Sequence, residues 1–427
     1  MVKFLLLIIS ILFYNFSIYA ITVEDTIKST VEKNTTVKLG LEKINESKEL
    51  IESSLGNFRP DINLTLTEKK SSTETITGTT TTNTTKLEDT YQLVIKQNLY
   101  KGGRNTLELQ KSKIQFDNQV LIFYNDINNL IIQAIDGYLT FQVNKKSLDF
   151  NKKNLELLEK FYFDKKKEKS LGIATELDLK NAKASYEIAQ SNLIISEGNL
   201  EIGKKTFKRV AGLNPINLKD IVNIYTLNNF DEILNNILKN NHELKILKND
   251  YEIAKIQLDI HKKIKLPTLD LTGTISYNDD VAAEGTESNS GSLSAQLSIP
   301  IFQQGIENSD IRKYQSQLIQ SQLKIDDKID ELKLTASILF NNYTINKSLL
   351  ESSSSLIDAN QTSLELVKIE YKNGIRKFND VIEQEENLLD AQLDQFNYNK
   401  ELLLAYFNIL LLQGLLIEEF NEYLPKI

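Results

Sequence analysis

Few side chains here could do chemistry, and their types limit which chemistry that is. Cysteine is absent, the one methionine is Met1, and His242 and His261 are the two histidines, nineteen positions apart. That spacing on one helical stretch reads as surface placement, not ligation. No thiol nucleophile, disulfide or soft-metal relay can be assembled. With no catalytic constellation in view, the chain reads as a non-enzyme with no cofactor and no metal. The polar groups that stand out gather after two glycines. Around Gly374 lie a phenol at Tyr371 and a guanidinium at Arg376, whose planar fork can hold a carboxylate and stays charged at any relevant pH. Asp380 and Glu383 follow at i, i+3 and so share a helix face. Past Gly172 comes the carboxylate of Asp178.

The elements that carry these groups are long helices. From about 306 to 371, Leu318, Ile325, Leu332 and Leu339 form one heptad row. Ile329, Ala336, Tyr343, Leu350, Ile357, Leu364 and Tyr371 form the row beside it. A sustained pattern of this kind argues for coiled-coil packing, and the run spans roughly 100 Å. Subtracting 202 positions maps Ile329 onto Ile127, Ala336 onto Ala134, Leu350 onto Leu148 and Gly374 onto Gly172. The rod and its turn are duplicated. A return helix follows each turn. In the first, Ala182, Ala189, Ser196 and Gly203 alternate with larger residues, so a partner helix can approach closely.

The 427 residues carry 50 basic and 58 acidic groups, with no basic stripe for nucleic acid. Lys3, the apolar run from Phe4 to Phe13 and the small residue Ala20 read as a secretory signal peptide over 1–20. The first structural repeat is expected at 21–212: a helix from about Val23 to Leu55, strands at 57–70 and 88–98, a long helix at 105–169 and a return helix at 175–211. A connector at 213–232 leads to the second repeat at 233–427, with a helix from about Asp231 to Lys265, strands at 268–277 and 291–299, a long helix at 306–371 and a return helix at 376–417. The Thr-rich stretch from Ser71 to Thr85 reads as a polar loop between the first two strands.

The strands alternate. Ile62, Leu64 and Leu66 stand against Asn63, Thr65 and Thr67, and Leu269, Leu271 and Ile275 against Asp270, Thr272 and Thr274. About ten residues with one apolar face is the pattern of a transmembrane β-strand; a soluble sheet on helices alternates too. Four such strands cannot close a barrel, so the membrane reading requires several chains to share one.

At this point the chain resembles the TolC family of outer-membrane efflux proteins. The resemblance rests on Leu266-Pro267-Thr268-Leu269 opening a strand and Ile299-Pro300-Ile301-Phe302-Gln303-Gln304-Gly305 leaving one. It also rests on the turns Leu171-Gly172-Ile173-Ala174-Thr175-Glu176-Leu177-Asp178 and Tyr371-Lys372-Asn373-Gly374-Ile375-Arg376. Arg59-Pro60 and Gln97-Asn98-Leu99 depart from the family pattern at the equivalent junctions of the first repeat. The resemblance implies a mainly α fold with a membrane β-barrel part: a homotrimer sharing a twelve-stranded barrel in the outer membrane of a Gram-negative bacterium, continued by a periplasmic α-barrel. It implies a passive exit duct for efflux or type I secretion, working with a periplasmic adaptor protein and an inner-membrane transporter. It implies a gate at Asp178, Tyr371 and Arg376, and pore-facing acidic rings at Asp380 and Glu383. A coiled-coil envelope spacer or adhesin-like surface protein is the alternative, and the duplicated strand pairs and signal peptide weigh against it.

Overall fold

The computed structural model describes residues 20–220, 226–227, 229–279 and 285–420. The expected signal peptide, apart from Ala20, and part of the connector lie outside the described residues. The chain divides into two compact units. One comprises Met1–Gly40, Tyr124–His242 and Ile329–Ile427, the other Leu41–Phe123 and Glu243–Lys328. Among the described residues no helix is long and apolar enough to cross a membrane.

In chain order the elements are α1 (Val23–Lys33), α2 (Thr35–Gly56), β1 (Asp61–Thr77), β2 (Thr80–Lys101), α3 (Arg104–Ser170), α4 (Glu176–Ala211), α5 (Phe230–Asn240), α6 (His242–Lys262), β3 (Thr268–Asp279), β4 (Glu287–Ser298), α7 (Ile306–Lys372), α8 (Phe378–Leu412) and α9 (Leu416–Glu419). The rods α3 and α7 each have 67 residues and start 202 positions apart. The heptad rows supply the buried side of α7: Ile325, Leu332, Ala336, Tyr343 and Leu364 are buried. On α4 the small residues Ala182, Ala189, Ser196 and Gly203 are all buried, followed by Phe207 and Ala211 at its end. A Cβ added at Gly203 would lie 3.0 Å from the Asn144 side-chain amide, which would have to give way slightly to admit it.

Three readings of the sequence need correction. The helix expected from Val23 to Leu55 is broken at Asn34, and the one expected from Asp231 to Lys265 is broken at Asn241. No proline or glycine marks either break. Each instead serves the return helix, whose last carbonyls have no helical donor of their own. The Asn34 amide donates to the Val210 carbonyl at 3.4 Å, and the Asn241 amide to the Leu412 carbonyl at 3.0 Å. Second, the stretch from Ser71 to Thr85 is strand, not loop. β1 and β2 pair residue for residue from Asp61↔Lys96 to Thr77↔Thr80, around a turn at Gly78 (φ +64°). Threonine favours strands through its β-branch, but with both faces polar no apolar alternation announces them. Third, the last return helix ends at Leu412, followed by Gly414 and the short α9, where it was expected to run to 417.

The asparagine breaks lie 207 positions apart and their carbonyl partners 202. The difference of five residues is taken up in the first β-hairpin, which is longer than the second. The sheet, in the second unit, is antiparallel throughout in the order β1-β2-β3-β4.

Candidate functional site

Residues directly opposite in an antiparallel sheet point to the same face. Three rows therefore cross all four strands on one side: Ile62–Ile95–Gly273–Leu293, Leu64–Leu93–Ile275–Gly291, and Leu66–Tyr91–Tyr277–Asn289. Leu271 with Ala295 and Leu269 with Leu297 continue the face. Most of these large apolar side chains are exposed, and the Tyr91 and Tyr277 rings meet at 5.8 Å. From Leu269 to Tyr277 the face extends roughly 27 Å along the strand, or about 20 Å once tilted, the scale of a barrel's lipid-facing band. The opposite face carries Thr65, Thr67, Gln92, Thr272, Thr274, Ser276, Ser290, Ser292 and Ser294, a surface that water wets. Among the described residues, β1 and β4 each keep one edge without a strand partner.

The turn residues lie in the first unit. Both turns close the same way: the Ile173 amide donates to the Glu168 carbonyl at 2.9 Å and the Ile375 amide to Glu370 at 2.9 Å, over Gly172 and Gly374, each at φ +75°. Asp178 and Asp380 occupy equivalent places in the first turns of α4 and α8. The Asp178 carboxylate accepts from the Thr175 hydroxyl at 2.7 Å and the Thr175 amide at 3.0 Å, in a capping box. Those bonds, with a smaller contribution from the charges of Lys165 and Lys377, hold its carboxyl below the usual aspartate range. Asp380 accepts from the Lys377 amide at 3.2 Å.

Arg376 is brought to acids of its own hairpin. Its Nε donates to Glu370 at 3.0 Å, and its Nη1 lies 3.9 Å from Asp380. Gate and ring candidates thus meet on one turn. Among the described residues no hydrogen bond or ion pair joins Asp178 to Arg376 or Tyr371. Tyr371 packs edge-on against Phe378 at 5.2 Å, and Phe378 stacks on Phe161 of the other hairpin at 4.1 Å. Ile382 joins Leu158, Phe161, Ala182 and Ala189 in the same cluster. Glu383 is exposed. It adds to a field, led by burial and by Asp390, that raises the carboxyl of Glu386 above the usual glutamate range.

The sequence reading missed Glu370 and Phe378, and also two apolar seams. Ile188, Ile195 and Ile202 lie at heptad spacing on α4 and are at least 60 % exposed; Leu334, Ile338, Ile345, Leu349 and Leu356 line α7 outside its buried rows and are also exposed. A heptad count on α4 would have found the first seam. On α7 the stronger buried rows mask the second.

An amphipathic sheet with two open edges, joined to duplicated helical hairpins, defines an outer-membrane channel fold. A family model described as outer membrane efflux protein matches residues 233–415. The chain is 22% identical over 321 residues to the outer membrane protein TolC of Escherichia coli (strain K12), covering 70% of this chain and 64% of that protein. It is 21% identical over 323 residues to the outer membrane efflux protein BepC of Brucella suis, covering 75% of this chain and 71% of that one. The crystal structure of the CmeC outer membrane channel of Campylobacter jejuni superimposes with a TM-score of 0.78 at 14% identity, covering 94% of this chain and 90% of that one. The chain is thus similar to the TolC family of outer-membrane efflux proteins, in sequence over its second half and beyond, and in fold over nearly its whole length. The match spans under two thirds of the length of the TolC relatives.

Proposed function

We propose that this chain is one subunit of a homotrimeric exit duct in the outer membrane, passing substrates from an inner-membrane pump without catalysing any reaction. The observation that carries the reading is the sheet: one continuous apolar face, one hydroxyl-rich face and two open edges. Lipid does not tolerate open edges, so β1 of one copy pairs with β4 of the next until the barrel closes. Three copies supply twelve strands. The exposed seams on α4 and α7 support the same head-to-tail arrangement, since a heterologous contact that closes makes a ring. Covering eight half-exposed aliphatic side chains stabilises each interface by on the order of 10 kcal/mol before the cost of association.

The turns belong to the periplasmic mouth in this proposal. Arg376, Tyr371 and Asp178 hold it closed, and Asp380 and Glu383 form acidic rings that favour cations. Arg376 bridging Glu370 and Asp380 supports a weak lock. An exposed pair of this kind contributes only about 0.5 kcal/mol, so a docked partner shifts it easily. A periplasmic adaptor and an inner-membrane transporter complete the path.

Native mass spectrometry in detergent and planar-bilayer recording test the proposal. The expected result is a trimer whose conductance rises when Arg376→Ser and Tyr371→Phe are combined. A stable monomer refutes the shared barrel; a trimeric double mutant that conducts no more than wild type refutes the gate.

A further inference from the structure

The two edge strands of the sheet differ in length and in where they start. β1 has 17 residues and β4 has 12. The row that begins at Ile62 in β1 ends at Leu293 in β4. One strand residue, Asp61, precedes Ile62, whereas residues 294–298 of β4 follow Leu293. Were copies to close on each other straight along the rows, residues 295–298 of β4 would face 57–60 of the next copy, which lie before β1. Glu287 would face Glu68, and two carboxylates directly opposite destabilise a sheet. The stretch of β1 from Lys69 to Thr77 would face nothing.

The apolar face carries the same offset. In β1 it is centred on Leu64, between Ile62 and Leu66, and the row of Leu64 ends at Gly291. In β4 the apolar block is Leu293, Ala295 and Leu297, so its centre, Ala295, lies four residues from Gly291 on the side of the helices. A level lipid band laid across tilted strands drifts along the rows in this way. Tilt also limits how far one copy can slide along the next. The slide is an even number of residues, because an odd one turns every side chain to the other face, and a ring of three copies makes it three times. With a rise of ~3.3 Å per residue and strands ~4.8 Å apart, twelve strands tilt by about 20° for a slide of two at each junction, 35° for four, 45° for six and 55° for eight. Membrane barrels tilt by about 35–45°, which leaves four and six. A slide of six sets Leu293 against Glu68 and Glu287 against Glu74. A slide of four sets Leu297 against Ile62, Ala295 against Leu64, Leu293 against Leu66 and Glu287 against Ser72.

We propose that β4 of one copy pairs with β1 of the next four residues out of line with the rows, Leu293 lying opposite the next copy's Leu66 and Leu297 opposite its Ile62. This deepens the exit-duct reading and rests on it, since it takes three copies and one barrel as given. The slide brings the starts of the two strands level, with Ser298 opposite Asp61. Apolar side chains meet apolar ones on the lipid side, and on the other side Gln296, Ser294 and Ser292 meet Asn63, Thr65 and Thr67. No like charges stand opposite one another across the junction. The stretch from Lys69 to Ser72, which overhangs β4 along the rows, becomes barrel wall, and only Thr73–Thr77 of β1 stands beyond the junction. The greater length of the first hairpin is then what closing a tilted barrel requires, and not a separate appendage. The register also fixes the tilt, at about 35°.

The chain has no cysteine, so pairs of introduced cysteines report the register without background. Ser294→Cys is combined in the full-length chain with Thr65→Cys, which a slide of four places opposite it. Two further variants combine it with Asp61→Cys, the partner without a slide, and with Thr67→Cys, the partner for a slide of six. All four positions lie on the hydroxyl-rich side. Residues directly opposite are about 4.5–5.5 Å apart and diagonal ones about 7–8 Å, and a disulfide does not reach beyond about 7 Å between Cα atoms. Each variant is oxidised mildly in membranes and run on a denaturing gel without reductant. The Thr65 pair is expected to give covalent dimers and trimers at least about fivefold more than either other pair. If the Thr65 variant fails to assemble, Ser292→Cys with Thr67→Cys, opposite each other in the same register, must link instead. A higher yield from the Asp61 or the Thr67 pair with Ser294, equal yields, or no link in an assembled protein overturns the register. Native mass spectrometry separates the two levels of the argument. A trimer linked in another register, or not linked, removes the slide and leaves the shared barrel standing, whereas a wild-type monomer removes both.

Discussion

The paired asparagine breaks allow one substitution to be compared with itself. Asn241 is 4% exposed and its amide donates to the Leu412 carbonyl at 3.0 Å. Asn34 is less buried, its bond to Val210 is 3.4 Å, and its side-chain oxygen accepts from the Thr36 amide at 2.9 Å. Asparagine to aspartate keeps the shape and removes the donor. At position 34 the acceptor role towards Thr36 survives, aspartate caps helices well, and only a long bond is lost, so the expected loss is about 0.5 kcal/mol. At position 241 a full hydrogen bond is lost, about 1 kcal/mol, and a buried carboxylate then faces a carbonyl oxygen, adding about 2 kcal/mol or more. Urea unfolding of the protein in detergent at fixed protein concentration should show Asn241→Asp losing roughly 3 kcal/mol per chain and Asn34→Asp far less. The larger loss should also depend on pH. Burial raises the folded-state pKa of the new carboxyl above its unfolded value, so the penalty is full above that raised pKa. It shrinks as pH falls through it, where the acid becomes a donor again. Equal losses at the two positions, or a penalty at 241 indifferent to pH, would refute the assignment of the breaks as caps on the return helices.

Two further outcomes are expected. Gly374→Ala meets open space and carries only the strain of φ +75°, roughly 1 kcal/mol; Gly414→Ala adds a Cβ 2.9 Å from the Asn240 carbonyl and should lower the melting temperature of the protein clearly more. If the acidic lining proposed at Asp380 and Glu383 extends one turn to Glu386, cation selectivity measured by reversal potential should begin to fall above the ordinary glutamate range on acidification from about pH 7, because burial and the charges of Asp390 and Glu383 raise the Glu386 carboxyl. Glu386→Gln should remove that early component, and by the sign of the shift protonation at this site favours the folded state.

Much of the fold was legible because heptads and alternation repeat. The rods, the turns at Gly172 and Gly374 and the amphipathic strands all bury or expose one face at a fixed period. The breaks at Asn34 and Asn241 were not legible, since each is set by a carbonyl about 170 positions away. The threonine ribbon was hidden because its pairing is backbone-driven and neither face is apolar. At the turns, the sequence pointed to Arg376 and Asp380 as chemistry but not to their proximity. That comes from the Gly374 closure, which folds Arg376 back onto Glu370, six residues earlier.

Each of the two hairpins is held by an apolar seam, and this bears on how the second could move. In the first, α3 and α4 meet through Leu158, Phe161, Ala182 and Ala189, all buried. In the second, Leu364 of α7 is buried with Val381 and Leu388 of α8, and Ile357, Val367, Tyr371 and Phe378 pack against them. Polar contacts cross both seams. The Asn144 amide donates to the Asn199 carbonyl at 3.0 Å in the first; in the second Gln395 donates to Ser353 at 3.1 Å, the Asn360 amide to the Asn387 carbonyl at 3.1 Å, and Lys368 pairs with Glu385. Parting an apolar seam exposes each side chain at about 1.5–3 kcal/mol. Parting a hydrogen-bonded one exchanges protein partners for water at about 0.5–1.5 kcal/mol per bond. Burial therefore dominates in both, and α7 and α8 are expected to move as a pair. In the gate proposed above, the contact that changes is then the one between hairpins, where Phe378 stacks on Phe161, and not the seam within the second.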